Sequence, residues 1–196
     1  FDSSLLNRDA RRPIKLLELE IESIRVRQET QQRAVVLKVK DSDLYLPIFV
    51  GQFEVEAIRF KLMEVEVQRP MTHDLLGSVI GDLGGTIHSI VVSELKNDTF
   101  FAKIVIDTNG TLIEIDARPS DALALAVRSE APIYAEDEVL EKAGVSLDVE
   151  TENSSLEESQ EKQVNEEELE GLSAFTDFID SLDLEDIGNE GKKPDQ

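Results

Sequence analysis

Three segments of the chain place carboxylates, an imidazole and arginines where a strand or loop gives way to a helix. They are "GQFEVEAI" (51–58), "RPMTHDLL" (69–76) and "DARPSDALALA" (116–126). Carboxylates and imidazole can accept protons or ligate a divalent cation, and arginine can bind phosphate. The chemistry that these residue types allow is therefore acid–base or metal-assisted reaction at an anionic group.

The first segment holds Glu54 and Glu56 in the opening turn of a predicted helix. Glu56, which lies beside the apolar face that includes Phe60, could offer oxygen atoms to a cation. The alternative is that each carboxylate only complements the positive end of the helix dipole.

The second segment combines Arg69, held extended before Pro70, with His73 and Asp74 at the start of a helix that Thr72 is expected to cap. A neutral imidazole at this position could act as a base or as a ligand. The alternative is a surface histidine at a capped helix end.

The third segment ends a strand at Asp116, fixes Arg118 before a proline, and opens a helix with Ser120 and Asp121. A helix N-terminus with a nearby arginine suits a phosphate group. Equally, Asp116 or Asp121 could simply pair with Arg118 and cap the helix.

If Glu56, His73, Asp116 and Asp121 converge, their hard ligands would suit Mg²⁺ or Mn²⁺ and metal-assisted phosphodiester hydrolysis. The sequence has no Walker loop, GxGxxG, HExxH, GxSxG or CxxC pattern, and no cysteine. Its net charge of −22 excludes simple electrostatic adhesion to nucleic acid, so such a partner would need a local basic patch or bound metal.

The elements that must position these residues are strands and helices without regular βαβ alternation. Alternating runs predict three strands before residue 51 and three more between 85 and 117, while helical spacing begins near residues 51, 72 and 118. A strand at "PIYA" and a short helix ending at Gly144 follow. The pattern predicts an α+β fold, a mostly antiparallel sheet with helices packed on one side.

Composition divides the chain into a leader (1–14), a folded domain (15–145) and an acidic linker and tail (146–196). Residues 147–196 hold 17 acidic and 3 basic side chains, against 25 and 17 in residues 1–146. We expect the tail to be disordered, with a short amphipathic helix over 165–183 that could dock on this chain or a partner. No run is long and apolar enough to span a bilayer and no signal peptide is visible, so we predict a soluble cytoplasmic protein without a membrane partner.

Four motifs in order, "LPIFVGQFEVEAI", "RPMTHDLL" followed by "LGG", "DARPSDALALAVR" and "API", resemble the bifunctional nuclease family over roughly residues 15–144. The resemblance implies a nuclease acting on DNA or RNA. The polar positions of the family's motifs fall on residues of all three segments: Glu54, Glu56, Arg69, Thr72, His73, Asp74, Asp116, Arg118, Ser120 and Asp121.

From the residues and the resemblance together we assign roles as predictions. The catalytic residues are Glu56, His73, Asp74 and Asp121; the substrate-binding residues are Arg69, Arg118 and Ser120; the ligands of Mg²⁺ or Mn²⁺ are Glu56, Asp116 and Asp121. The alternative function is a non-catalytic binding or regulatory module for a phosphate-containing ligand or a protein partner. Edge strands and apolar helix faces favour a homodimer or a higher homo-oligomer.

Overall fold

The computed structural model describes residues 14–27 and 30–146, which form eight strands and four helices. The strands are β1 (Leu16–Val26), β2 (Arg33–Val39), β3 (Leu44–Val50), β4 (Thr86–Lys96), β5 (Thr99–Thr108), β6 (Thr111–Ala117), β7 (Ile133–Glu136) and β8 (Val145–Ser146). The helices are α1 (Gln52–Leu62), α2 (Thr72–Asp82), α3 (Pro119–Ser129) and α4 (Asp137–Ala143).

The first three strands form an antiparallel meander, as the alternating sequence predicts. The alternating pattern of "KLLELEIESIRVR" predicts an irregularity near Ser23, and β1 has a register shift there, between Ile21 and Ser23. Pro47 lies opposite Val36 on β3, beyond the two residues of β3 that pair with β8. A proline is tolerated there because that side of the strand has no ladder to donate to.

Strands β4, β5 and β6 form a second antiparallel meander through two tight turns. Asn97 and Asp98 at the first turn have φ values of 49° and 57°, and Asn109 and Gly110 at the second have 53° and 83°. Two successive residues with positive φ match the twist of a two-residue hairpin, and Asn, Asp and Gly adopt that conformation at least cost. The first of these turns lines a cavity of the structure.

The short strand β7 joins the two meanders into one sheet of order β6-β5-β4-β7-β1-β2-β3-β8. It pairs antiparallel with β1 and parallel with β4. This parallel pairing follows from the path of α3, which carries the chain from β6 on one edge to the middle of the sheet. The sequence predicted the strand, but it did not predict this pairing.

All four helices cover the same face of the sheet. Buried side chains of α1, α3 and α4 belong to one apolar cluster with those of the strands, and Leu76 and Ile80 of α2 pack against that cluster. The fold class is therefore α+β with helices on one side of a mostly antiparallel sheet, which confirms the prediction. This layer brings the starts of α1, α2 and α3 together.

The predicted leader and the acidic tail with its helix over 165–183 lie outside the described residues, apart from Ile14 and Ser146. Within residues 14–27 and 30–146, no helix has the length and apolar character needed to cross a membrane.

Candidate functional site

The first turns of α1, α2 and α3 share one arrangement. Each helix is preceded by a residue in extended conformation, and each has an acid three positions later: Glu54, Asp74 and Asp121. A carboxylate in this position is favoured by the free N–H groups and the positive end of the helix dipole. Three such helix starts lie in one layer because α3 packs against both α1 and α2.

Asp74 ties α2 to the far end of α3. Its Oδ2 accepts a hydrogen bond from the Met71 N–H at 2.8 Å, and its Oδ1 accepts one from Arg128 Nε at 2.7 Å. Met71 holds the N-cap position, so the cap predicted at Thr72 was one residue too late. Burial would raise the pKa of the Asp74 carboxyl group, but these two hydrogen bonds and the charge of Arg128 outweigh it and lower the pKa.

Arg118 connects the starts of α1 and α3. Its Nε and Nη2 donate to the two oxygens of Asp121 at 2.7 and 3.1 Å, and its Nη1 donates to Glu54 Oε1 at 3.1 Å. The Arg118 side chain is 64% exposed, whereas those of Glu54 and Asp121 are 25% and 31% exposed. An accessible guanidinium is therefore held in place by two partly buried carboxylates.

His73 extends this connection to the start of α2. Its Nε2 lies 3.2 Å from Asp121 Oδ1, and the residue is only 9% exposed. Its Nδ1 is buried and has no hydrogen-bond partner within the described part of the chain. We call Glu54, His73, Arg118 and Asp121 the Arg118 cluster; its contacts hold Asp121 between an imidazole and a guanidinium.

A cavity of about 280 Å³ opens beside the Arg118 cluster. It lies between the end of β3, the β4–β5 turn and the starts of α1 and α3. The lining residues include Val50, Glu54, Thr99, Arg118 and Ser120. The cluster is thus at the rim of a space that can admit a small group.

Comparison with known proteins identifies the domain that carries this site. A family model described as the bifunctional nuclease domain matches residues 35–148. An uncharacterized protein of Mycobacterium tuberculosis (strain ATCC 25618 / H37Rv) is 37% identical over 158 residues, which are 81% of this chain and 92% of that protein. The chain belongs to the bifunctional nuclease domain family. All four residues of the Arg118 cluster lie within the matched range.

Plant members of the bifunctional nuclease family are more distant. Bifunctional nuclease 1 of Oryza sativa subsp. japonica is 25% identical over 128 residues, which are 63% of this chain and 39% of the plant protein. Bifunctional nuclease 1 of Arabidopsis thaliana is 29% identical over 104 residues, which are 51% of this chain and 32% of that protein. The similarity therefore extends over well under half of each plant protein.

Three residues that the sequence singled out lie apart from the Arg118 cluster of this bifunctional nuclease domain. Glu56 Oε2 accepts hydrogen bonds from its neighbour Arg59 at 2.7 and 3.1 Å. Asp116 is exposed on the edge strand β6, opposite Lys103 of β5, and Arg69 is exposed before α2. Their assigned roles stay predictions. A catalytic role for Asp74 also stays a prediction, because its observed contacts join α2 to α3.

The described side chains do not form a ready site for Mg²⁺ or Mn²⁺. Within residues 14–27 and 30–146, no group of three or more histidines, aspartates and glutamates is arranged to hold a metal ion. The two carboxylates that do meet, Glu54 and Asp121, have the guanidinium of Arg118 between them. A hard cation would need those oxygens for itself, so dependence on a divalent metal stays a prediction from the sequence.

No role is predicted for Arg128 from the sequence, although its guanidinium makes hydrogen bonds to α1, α2 and α3. Its Nε donates to Asp74, and its Nη1 donates to the carbonyl oxygens of Ala57 at 3.0 Å and Ala124 at 2.7 Å. An arginine at the end of "DALALAVR" is usually explained by the helix dipole. The regular occurrence of an acid at the third position of three helices was a signal that each acid would require a partner.

We expect Asp74 to make folding stability pH dependent. Because the folded-state pKa of Asp74 is lowered from its ordinary value of 3.8, its contribution is present above that pH and is lost as pH falls through the lowered value. The difference in urea midpoint between the full chain and its Asp74→Asn variant should therefore be largest near pH 7 and shrink below about pH 4. A difference that stays constant down to pH 2.5 would contradict this assignment.

Proposed function

We propose that this chain hydrolyses phosphodiester bonds of DNA or RNA at the Arg118 cluster. Membership of the bifunctional nuclease domain family supports the reaction type. The observation that carries the location is the exposed guanidinium of Arg118, held by Glu54 and Asp121 at the start of α3 and at the rim of a cavity. Guanidinium groups and helix N-termini both favour phosphate.

The reaction requires a group that binds the phosphoryl oxygens and a base for the attacking water. Arg118 binds a non-bridging oxygen of the phosphodiester, and Asp121 accepts a proton from water. The water oxygen forms a bond to phosphorus, the bond from phosphorus to the leaving oxygen breaks, and that oxygen takes a proton from solvent. The products are a phosphomonoester and an alcohol.

Binding of phosphate by Arg118 would itself activate Asp121. Burial would raise the pKa of the Asp121 carboxyl group, but hydrogen bonds from Arg118 and the contact with His73 keep the pKa low. A phosphate that draws Arg118 away removes part of that influence, so the pKa of Asp121 rises and the carboxylate becomes a stronger base. His73 keeps Asp121 oriented during this change.

Mg²⁺ or Mn²⁺ is the cofactor that we keep as part of this proposal. Such an ion would neutralise charge on the phosphoryl oxygens and lower the pKa of a bound water. Because the described side chains do not form a ready metal site, every step above depends only on residues of the chain. Loss of cleavage in EDTA and its return with added Mg²⁺ or Mn²⁺ would establish the requirement.

A non-catalytic module for a phosphate-containing ligand is the second candidate. It is favoured by the fact that Arg118 already neutralises both carboxylates of the cluster, so the same contacts could serve binding and stability alone. The discriminating result is ligand binding without turnover.

The proposed homo-oligomer is supported by apolar side chains that are exposed along α2 and on β6. Leu75 and Val79 of α2 and Leu83 directly after it are exposed at intervals of four residues, and Ile113 and Ile115 are exposed on the edge strand β6. We also keep the cytoplasmic location and docking of the acidic tail as predictions.

The test compares two glutamates that are two residues apart. The full chain and its Glu54→Gln and Glu56→Gln variants, purified identically, are assayed on labelled single-stranded RNA and DNA with and without Mg²⁺ or Mn²⁺. Glu54→Gln should lower kcat/KM by about ten-fold, because Arg118 loses one charged hydrogen bond that positions it. Glu56→Gln should match the unchanged chain. Equal cleavage in all three preparations would indicate a contaminating nuclease and overturn the proposal.

A further inference from the structure

We infer that the cavity beside Arg118 binds the base of one unpaired nucleotide whose phosphate lies on Arg118, which makes single-stranded nucleic acid the substrate of this domain. The inference rests on the proposed function for its phosphate site. It adds that the cavity binds the base of the substrate, and that only an unpaired base can enter.

The size of the cavity sets the first limit. Its volume of about 280 Å³ is just below the range of pockets that hold drug-sized molecules, which begins near about 300 Å³. A single base, with part of its sugar, is a group that fits within this volume. A base that is stacked and paired in a duplex would have to leave the helix to enter.

The chemistry of the walls sets the second limit. Ile48, Val50, Phe100 and Pro119 give the cavity apolar surface, while Glu54, Asp98 and Thr99 place polar groups around it. A base has apolar faces and a polar edge, so it matches a space with apolar walls and a polar rim. Inorganic phosphate or a sugar phosphate would leave the apolar surface exposed to water.

Ser120 is the observation that points to a ligand. It lines the cavity and is only 7% exposed, yet its hydroxyl makes no hydrogen bond within the part of the chain that the structure describes. The Ser120 oxygen is not among the sealed atoms without a partner in the described residues, so it is open to the cavity, and a bound group can replace the water that reaches it there. Because a hydroxyl both donates and accepts, Ser120 can bond to the edge of any base or to a sugar hydroxyl.

Arg118 links this cavity to the reaction. Its side chain lines the cavity and also belongs to the Arg118 cluster, so the base and phosphate of one nucleotide reach their partners together. The nucleotide in the cavity then places its phosphate beside Asp121. Selection of an unpaired base and positioning of the phosphate become one event.

Binding to the full chain is measured by isothermal titration calorimetry with 5′-AMP, 5′-UMP and ribose 5-phosphate. Both nucleotides should bind about ten-fold more tightly than ribose 5-phosphate, because stacking and burial of a base add to the phosphate contact. Ser120→Ala should bind the nucleotides about five-fold more weakly, while its urea midpoint stays equal to that of the unchanged chain. Equal affinity for all three compounds would overturn the inference.

A matched pair of threonines tests the location. Thr99 and Thr111 are each exposed and each begin the strand after a two-residue turn, but only Thr99 is at the cavity. Thr99→Trp should fill the cavity and abolish the preference for nucleotides over ribose 5-phosphate, while Thr111→Trp should keep it. Retention of the preference in Thr99→Trp would overturn the inference.

Cleavage assays separate this inference from the proposed function. If the nucleotides bind as expected but no oligonucleotide is cleaved, the hydrolysis proposal fails and the base site stands. If single-stranded and duplex substrates are cleaved equally, and Thr99→Trp cleaves as fast as the unchanged chain, the base site fails and hydrolysis stands.

Discussion

Asp121→Asn is expected to lower the rate of phosphodiester cleavage by about 10²- to 10⁴-fold, the usual effect of removing a general base. Asparagine keeps the shape of aspartate but cannot take a proton from water. It also weakens the two hydrogen bonds that Arg118 donates at 2.7 and 3.1 Å. The rate constant of cleavage under single-turnover conditions should therefore fall by a larger factor than the affinity for substrate.

Asp116→Asn is the matched control, because the two aspartates stand on either side of Arg118 in the sequence. Asp116 is exposed on β6, whereas Asp121 is bound to both Arg118 and His73. Cleavage by Asp116→Asn should equal that of the unchanged chain. A loss as large as in Asp121→Asn would place a metal or the substrate at β6 and support the sequence-based assignment of Asp116. Unchanged cleavage by Asp121→Asn would remove the proposed base.

Most local elements of this fold could be predicted because their signals are local. Alternation identified the strands, Asn-Asp and Asn-Gly identified the turns, and the change of period at Gly51 identified α1. The parallel pairing of β7 with β4 could not be predicted. It joins Ile133 to Ile90, and no short-range pattern specifies which of several apolar strands a four-residue strand will join.

The choice between Glu54 and Glu56 shows why the site is harder to predict from the sequence than the fold. Glu56, and not Glu54, is predicted from the sequence to meet Asp121 at the start of α3, although both glutamates have suitable chemistry. Residues two positions apart point to nearly opposite sides of a helix, so only one could reach Arg118. The packing of α1 on α3 places Glu54 next to Arg118, whereas Glu56 accepts hydrogen bonds from its neighbour Arg59.

His73 was chosen from the sequence because a neutral imidazole at the start of a helix can act as a base or as a ligand. Its position at the start of α2 was close to the prediction, but its contact with an aspartate 48 residues away depends on how three helices pack. That contact changes its most direct role. With Nε2 on Asp121 and Nδ1 buried, His73 is placed to orient the base.

The same helix layer that positions Asp121 is held by Arg128, so Arg128→Met is expected to lower the free energy of unfolding by about 2 to 3 kcal/mol. The Arg128 side chain is 9% exposed and joins Asp74 of α2 to carbonyl oxygens of α1 and α3. Breaking a buried ion pair typically costs about 3 to 5 kcal/mol. The expected loss is smaller because the Asp74 side chain is 34% exposed and water screens its charge.

Arg118→Met is the matched control for stability, since it makes the same substitution at the other end of α3. Arg118 also binds two carboxylates, but its side chain is 64% exposed, so its loss should cost less than about 1 kcal/mol. Urea unfolding of the full chain, followed by circular dichroism, measures both. Addition of Asp74→Asn to Arg128→Met should then cost little, because the partner is already gone. Equal destabilisation by the two arginine variants would show that burial of the arginine does not determine the stability that it contributes. It would also show that the helix layer is not held together through Arg128.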